Sequence, residues 1–88
     1  MLYAGLDRSR QRLDVHLINQ VGEPVQVTTA PPDTDGLRGL VRQTARFGQP
    51  VLAVIESMNG ARFVHDQLEL AGWEVEIADA QKVPPRRR

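Results

Sequence analysis

The stretch Val51-Leu52-Ala53-Val54-Ile55-Glu56 decides how this 88-residue sequence folds. Five consecutive aliphatic residues are typical of a strand that is buried on both faces in a parallel region of a sheet. Pro50 comes directly before the run and prevents a preceding helix from continuing into it, while a polar loop at residues 57–60 follows. We therefore predict a central strand that ends at Glu56.

The residues before this strand predict three further strands. Residues 2–6 form a short apolar run that ends in Asp7, and residues 12–17 alternate between polar and apolar side chains. Residues 20–24 are typical of a turn, which leads into a third strand at residues 25–29. These three segments predict an antiparallel meander.

Two helices are predicted on either side of the central strand. Asp33 or Thr34 can cap the first helix, and Gly48 ends it. The second helix runs from about residue 61 to residue 71 and stops at Gly72. The residues expected on their buried faces are Leu37, Leu40, Val41 and Ala45 in the first helix and Phe63, Val64, Gln67, Leu68 and Ala71 in the second.

A fifth strand completes the predicted order βββαβαβ. Trp73, Val75 and Ile77 alternate with glutamates in the period of a strand, and Trp73 and Phe47 are expected in the core. A helix between two strands forms a right-handed crossover that makes the strands parallel. We therefore predict an α/β fold with a mixed sheet, in which the first, fourth and fifth strands run side by side.

Asp7 and Glu56 are the candidate site residues. Each is the first charged residue after an apolar strand, and these strands are predicted to be parallel neighbours about 4.8 Å apart. Two carboxylates at one edge of a sheet can share Mg²⁺ or Mn²⁺, ions that prefer oxygen ligands. The alternative is that Asp7 caps the following turn and Glu56 merely begins a polar loop.

Charge and composition limit the other classes of function. Lys82 and three arginines lie in the last seven residues, whereas residues 1–81 carry seven arginines against eleven acids, a net charge of −4. This balance argues against independent DNA binding. The sequence has no cysteine for a thiolate metal site, no signal peptide and no apolar run that could span a membrane, so we expect a cytoplasmic protein.

Four segments carry a resemblance to a known family, over about residues 1–82. They are Leu2-Tyr3-Ala4-Gly5-Leu6-Asp7, Leu13-Asp14-Val15-His16, Val51-Leu52-Ala53-Val54-Ile55-Glu56-Ser57-Met58-Asn59-Gly60 and Trp73-Glu74-Val75-Glu76-Ile77-Ala78. Their most specific features are Gly-Leu-Asp after the first strand and Glu-x-x-x-Gly after the fourth. These segments resemble the N-terminal domain of IS110-family transposases.

The resemblance implies an RNase H-like (RuvC-like) domain with a metal-dependent Asp-Glu-Asp-Asp tetrad that acts on DNA. Asp7 and Glu56 would be the first two acids. The family's third and fourth acids lie in a later Lys-x-Asp-x-x-Asp motif, which nothing in this sequence matches, and a further domain supplies a serine nucleophile. Residues 83–88, a divergent Pro-Arg tail, lead us to expect a truncated element that is inactive alone.

Other charged residues could contribute to the site or to nucleic-acid binding. Arg8 replaces an aliphatic residue of the family, and we expect it to form an ion pair with Asp7 rather than to contact phosphate. Asp79 could reach the same sheet edge as a further ligand, whereas His16 and His65 are not placed in the site. A stripe formed by Arg38, Arg42 and Arg46 could follow a nucleic-acid backbone, although such stripes are more often solvated.

Two other functions remain open from the sequence. One is a non-catalytic module that pairs with full-length transposase or with itself. The other is an actin-like or sugar-kinase-like nucleotide-binding fragment, since those folds also begin with a strand that ends in Gly-x-Asp. Arg8-Ser9-Arg10-Gln11 lacks the glycine that such proteins use to hold phosphate, which makes the nucleotide-binding alternative weak.

Overall fold

A computed structural model describes residues 1–9, 11–57 and 59–78 of the chain. Asp79 and the tail at residues 83–88 lie outside the described residues. The order βββαβαβ is confirmed, with these bounds: β1 (Leu2–Ser9), β2 (Arg12–Ile18), β3 (Pro24–Ala30), α1 (Thr34–Ala45), β4 (Val51–Glu56), α2 (Ala61–Leu70) and β5 (Glu74–Ala78).

The five strands form one mixed sheet in the order β3-β2-β1-β4-β5. β1 pairs with β2 and β2 with β3 in antiparallel orientation, whereas β1 pairs with β4 and β4 with β5 in parallel orientation. The first, fourth and fifth strands therefore run side by side, as predicted. β1 lies at the centre of the sheet, with β4 next to it.

Both helices cover the same face of the sheet. Alternate residues of β1, β2 and β4 are buried on that face and form the core with the inner sides of α1 and α2. The other face, which we call the open face, is not covered by any described element. The residues on this face include Tyr3, Gly5 and Asp7; Arg12, Asp14, His16 and Ile18; Val27 and Thr29; Leu52, Val54 and Glu56; and Glu74 and Glu76.

The prediction that β4 is buried on both faces was wrong. Val51, Ala53 and Ile55 are buried beneath the helices, but Val54 on the open face is 41% exposed. An unbroken aliphatic run indicates that both faces of the strand are apolar. It does not reveal whether the described chain supplies helices to cover each of these faces. Within the described residues, helices thus cover one side of β4.

The first helix is capped by one of the two residues predicted for this role. Asp33 is the N-cap of α1, and its carboxylate accepts a hydrogen bond of 2.7 Å from the Gly36 amide. Leu37 and Leu40 are buried as expected. The expectation for Ala45 was wrong, because Ala45 is exposed and Thr44 is the buried residue of that turn.

The second helix packs through a narrower stripe than predicted. Ala61, Val64 and Leu68 are buried, whereas Phe63 is 41% exposed because it lies to one side of the line that faces the sheet. Ala71 is also exposed, contrary to expectation, while Trp73 and the half-buried Phe47 join the core. Within the described residues, neither helix is long and apolar enough to cross a bilayer.

Candidate functional site

Asp7 and Glu56 are neighbours on the open face. The parallel register pairs Leu6 of β1 with Ile55 of β4, so the next residue of each strand is one of the two acids. Both side chains alternate away from the buried faces of their strands and are exposed. Adjacent strands lie about 4.8 Å apart. The fold therefore brings together the two acids that the sequence singled out.

The two carboxylates border a common depression in the open face. Its volume is about 430 Å³, and it is widely open to solvent. Its lining combines the two acids with the imidazole of His16 and apolar groups, from Gly5, Leu6, Asp7, His16, Val54 and Glu56. The site is a shallow basin with an acidic end.

Asp14 and His16 on β2 were not identified as site residues from the sequence. The antiparallel register places Asp14 opposite Asp7 and His16 opposite Gly5, and both side chains lie on the open face. The alternation of residues 12–17 could have indicated that these two polar residues share a face. Their alignment with Asp7 depends on the strand register, which the alternation alone does not give.

The carboxylates suit a hard divalent cation that keeps much of its water. Mg²⁺ is commonly bound by one or two carboxylates, with water completing its coordination. Among residues 1–9, 11–57 and 59–78, no group of three or more His, Asp or Glu side chains is arranged to hold a metal. Asp14 is oriented instead toward Arg12, whose Nε lies 3.4 Å from its Oδ1. The described residues thus offer Asp7 and Glu56 as a two-carboxylate site.

Arg8 does not form the ion pair with Asp7 that we expected. Successive side chains of a strand point to opposite faces, so Arg8 leaves β1 on the helix-covered side. Its Nη1 donates a hydrogen bond of 2.7 Å to the backbone carbonyl of Asn59, in the turn that follows β4. No ion pair of Arg8 is present within the part of the chain that the structure describes.

The carboxyl end of β4 is also fixed from the side of β5. Glu56 is in register with Ala78, and the Ser57 amide donates a hydrogen bond of 2.7 Å to the Ala78 carbonyl. The β4–β5 pairing therefore extends just past the acid. Asp79, the further ligand considered from the sequence, comes next in the chain and lies outside the described residues.

The arginine stripe is remote from the acids. Arg38 and Arg42 are exposed on α1, and Arg46 follows at its C-cap, where its guanidinium lies 4.9 Å from the centre of the Phe47 ring. Because α1 packs on the covered face, the sheet separates these arginines from Asp7 and Glu56. The structure does not bring the stripe and the acidic pair into one site.

Comparisons with known proteins identify the fold. No protein-family model matches the chain, and no curated protein sequence matches it. Among solved structures, it is similar to Thermus thermophilus RuvC, with a TM-score of 0.62 and 12% sequence identity. The match covers 90% of this chain and 62% of the RuvC chain. The chain therefore has an RNase H-like, RuvC-like fold built on a mixed α/β sheet.

Proposed function

We propose that this chain is part of the nuclease domain of an IS110-like transposase and that Asp7 and Glu56 bind Mg²⁺ or Mn²⁺ for chemistry on DNA. One observation carries the proposal. The two acids that resemble the first half of the family's tetrad lie side by side on adjacent parallel strands, each directly after the last register pair, Leu6 and Ile55. The RNase H-like fold gives that placement its architectural context.

The residues on the open face suit the binding of a cation and a phosphodiester. Asp7 and Glu56 supply carboxylate oxygens, and the basin beside them is open enough for an extended substrate to reach them. A bound divalent ion would activate an attacking water or hydroxyl and neutralise phosphate charge. It would also offset the repulsion between the carboxylates and an approaching phosphate. His16 lines the same basin and can hydrogen-bond to a substrate.

We propose that the described residues bind a metal weakly and do not support efficient cleavage by themselves. Two carboxylates leave most of the coordination sphere to water, and the Lys-x-Asp-x-x-Asp motif of the family is not in this sequence. The DNA specificity and the serine chemistry of the family would depend on residues beyond these.

A metal-dependent nuclease assay tests this function. We expect no cleavage of a DNA duplex by the 88-residue chain, and cleavage with Mg²⁺ by a version extended through an IS110-family segment that contains the missing motif. Asp7→Asn and Glu56→Gln should abolish the activity of the extended version. Glu74→Gln, a change on the same face but at the other end of the sheet, should preserve it. Activity that survives loss of both site acids would refute the proposal.

A second candidate function is non-catalytic pairing with full-length transposase. The observation that favours it is the apolar part of the open face, where Tyr3, Ile18, Val27 and Val54 are exposed. The same domain of a full-length transposase would present an equivalent apolar face. Size-exclusion chromatography of a purified mixture should show a complex that Val54→Lys abolishes, whereas separate elution of the two proteins would exclude this function.

A further inference from the structure

We propose that Arg8 is a positioning residue, whose guanidinium fixes the turn after Glu56 to the end of β1 and so sets the spacing of the two acids. The relevance of this link to metal binding rests on the proposed function. The link itself is a feature of the fold. Because the IS110 family more often has an aliphatic residue at this position, the family resemblance does not account for it.

The first observation is the hydrogen bond between Arg8 and Asn59. Nη1 donates to the Asn59 carbonyl over 2.7 Å, and a cationic donor makes this bond stronger than one between neutral groups. Arg8 directly follows Asp7, and Asn59 lies three residues after Glu56. The parallel register runs only as far as Leu6 and Ile55, one residue short of the acids. The Arg8 bond therefore continues the connection between the two strands beyond the acidic pair.

The second observation is the space that Gly60 leaves for the guanidinium. A Cβ atom at Gly60 would overlap Arg8 Nη1. Gly60 also has a φ of 87°, in the left-handed region that disfavours other residues, and it is the N-cap of α2. The turn that leads from β4 into α2 thus has a glycine where the backbone conformation favours one and where the Arg8 guanidinium occupies the place of a side chain.

Together with β5, Arg8 holds the end of β4 from two sides. The Ser57 amide bonds to Ala78 on one side, and Arg8 bonds to Asn59 on the other. Among the described residues, loss of the guanidinium would leave the Ser57–Ala78 hydrogen bond as the remaining link between this turn and a neighbouring strand. Glu56 would then be free to shift relative to Asp7, and a cation shared by the two carboxylates would be held less well.

An electrostatic role for Arg8 would have the opposite consequence. A cation close to two carboxylates repels a divalent ion, so removal of its charge would strengthen metal binding. Positioning predicts weaker binding after the same change. The sign of the effect therefore separates the two roles.

The test compares Arg8→Met with Arg12→Met in the 88-residue chain. Met retains an unbranched side chain but removes the guanidinium. The control removes the same charge from the neighbouring strand, where Arg12 lies on the open face and pairs with Asp14. Mn²⁺ affinity is measured for both variants, together with hydrogen exchange of the Ser57 and Val64 amides. In the wild type, these amides donate hydrogen bonds to the carbonyls of Ala78 and Gly60, respectively. Circular dichroism establishes that both variants are folded.

We expect Arg8→Met to weaken Mn²⁺ binding about tenfold, a loss of affinity typical for residues that orient metal ligands. The same change should accelerate hydrogen exchange at the Ser57 amide. Arg12→Met should leave exchange at Ser57 unchanged, and it should not weaken Mn²⁺ binding, because it removes a cation beside the row of carboxylates. Unchanged or tighter Mn²⁺ binding by a folded Arg8→Met variant would overturn the positioning role. If Arg8→Met does not fold, Arg8→Lys takes its place. We again expect weaker Mn²⁺ binding and faster exchange at Ser57. Wild-type values for both quantities would overturn the proposal.

Hydrogen exchange separates this inference from the proposed function. If the wild type binds no Mn²⁺, the metal site is refuted, and exchange alone tests the link. Faster exchange at Ser57 in Arg8→Met than in Arg12→Met would then support the structural link. Equal exchange in the two variants would overturn it.

Discussion

Asp7 of β1 lies directly opposite Asp14 of β2, and Glu56 of β4 adjoins Asp7 from the other side. Three carboxylates thus form one row across the central strands of the open face. Like charges in cross-strand positions destabilise a sheet. Arg12 compensates part of the charge of Asp14, whereas no described cation pairs with Asp7. A row of this kind is expected to cost stability and to favour the binding of a cation.

Removal of the central charge in this row should stabilise the metal-free protein. We expect Asp7→Asn to raise the free energy of unfolding by about 0.5–1 kcal/mol, because it removes repulsion toward two neighbours. For a domain of this size, that change raises the melting temperature by roughly 3–6 °C. Thermal unfolding followed by circular dichroism in EDTA measures it. Glu74→Gln is the control, and a lower melting temperature for Asp7→Asn than for that control would contradict the prediction.

Two valines of β4 test the assignment of its buried and open faces. Val51 is 4% exposed and Val54 is 41% exposed. We expect Val51→Ala to cost about 2 kcal/mol, because it removes two buried methyl groups and leaves a cavity. Val54→Ala should cost less than about 1 kcal/mol. Urea unfolding of the two variants measures the difference, and equal costs would show that β4 is covered on both faces.

The strand order was predictable from the sequence because it depends on local periodicity and on the handedness of crossover connections. Residues 12–17 alternate clearly, and a helix between β4 and β5 makes those strands parallel. The single covered face was not predictable. Leu52 and Val54 have the same apolar character as their buried neighbours, so the sequence does not record which of them the two helices cover. The exposure of Phe63 reflects the same ambiguity on α2.

The N-cap of α1 provides a separate test of a local prediction. Asp33→Ala removes the carboxylate that accepts the Gly36 amide hydrogen bond and should destabilise the protein by about 1 kcal/mol. Asp33→Ser retains a capping oxygen and should cost less. Chemical unfolding of both variants makes the comparison. Equal destabilisation by alanine and serine would show that the hydrogen bond does not account for the effect.

The arginine stripe should not contribute to metal binding. Arg38, Arg42 and Arg46 lie on the helix side of the sheet, so replacement of all three by glutamine should leave Mn²⁺ affinity unchanged. DNA bound at the open face would not reach these arginines, so the salt dependence of DNA binding should be unchanged as well. Fluorescence anisotropy with a DNA duplex at several salt concentrations measures this. If the triple replacement reduces the slope of log affinity against log salt concentration by about three, the stripe contacts phosphates.

The site was only partly predictable from the sequence. Asp7 and Glu56 could be identified because each ends an apolar run, and the crossover rule makes their strands parallel. Asp14, His16 and the contact of Arg8 require the strand registers. In β1–β2, Ser9 pairs with Arg12, and a shift of one residue would place Asp14 on the opposite face. The sequence of the turn does not determine this register in advance.

We propose that Asp7 and Glu56 together bind a divalent cation. Paramagnetic Mn²⁺ titrated into ¹⁵N-labelled protein tests it most directly, because the ion broadens the amide signals closest to it. We predict that the signals of residues 7 and 56 broaden first, and that Asp7→Asn or Glu56→Gln abolishes the effect while Glu74→Gln preserves it. Broadening that is absent at residues 7 and 56, or that persists in both site variants, would contradict the claim.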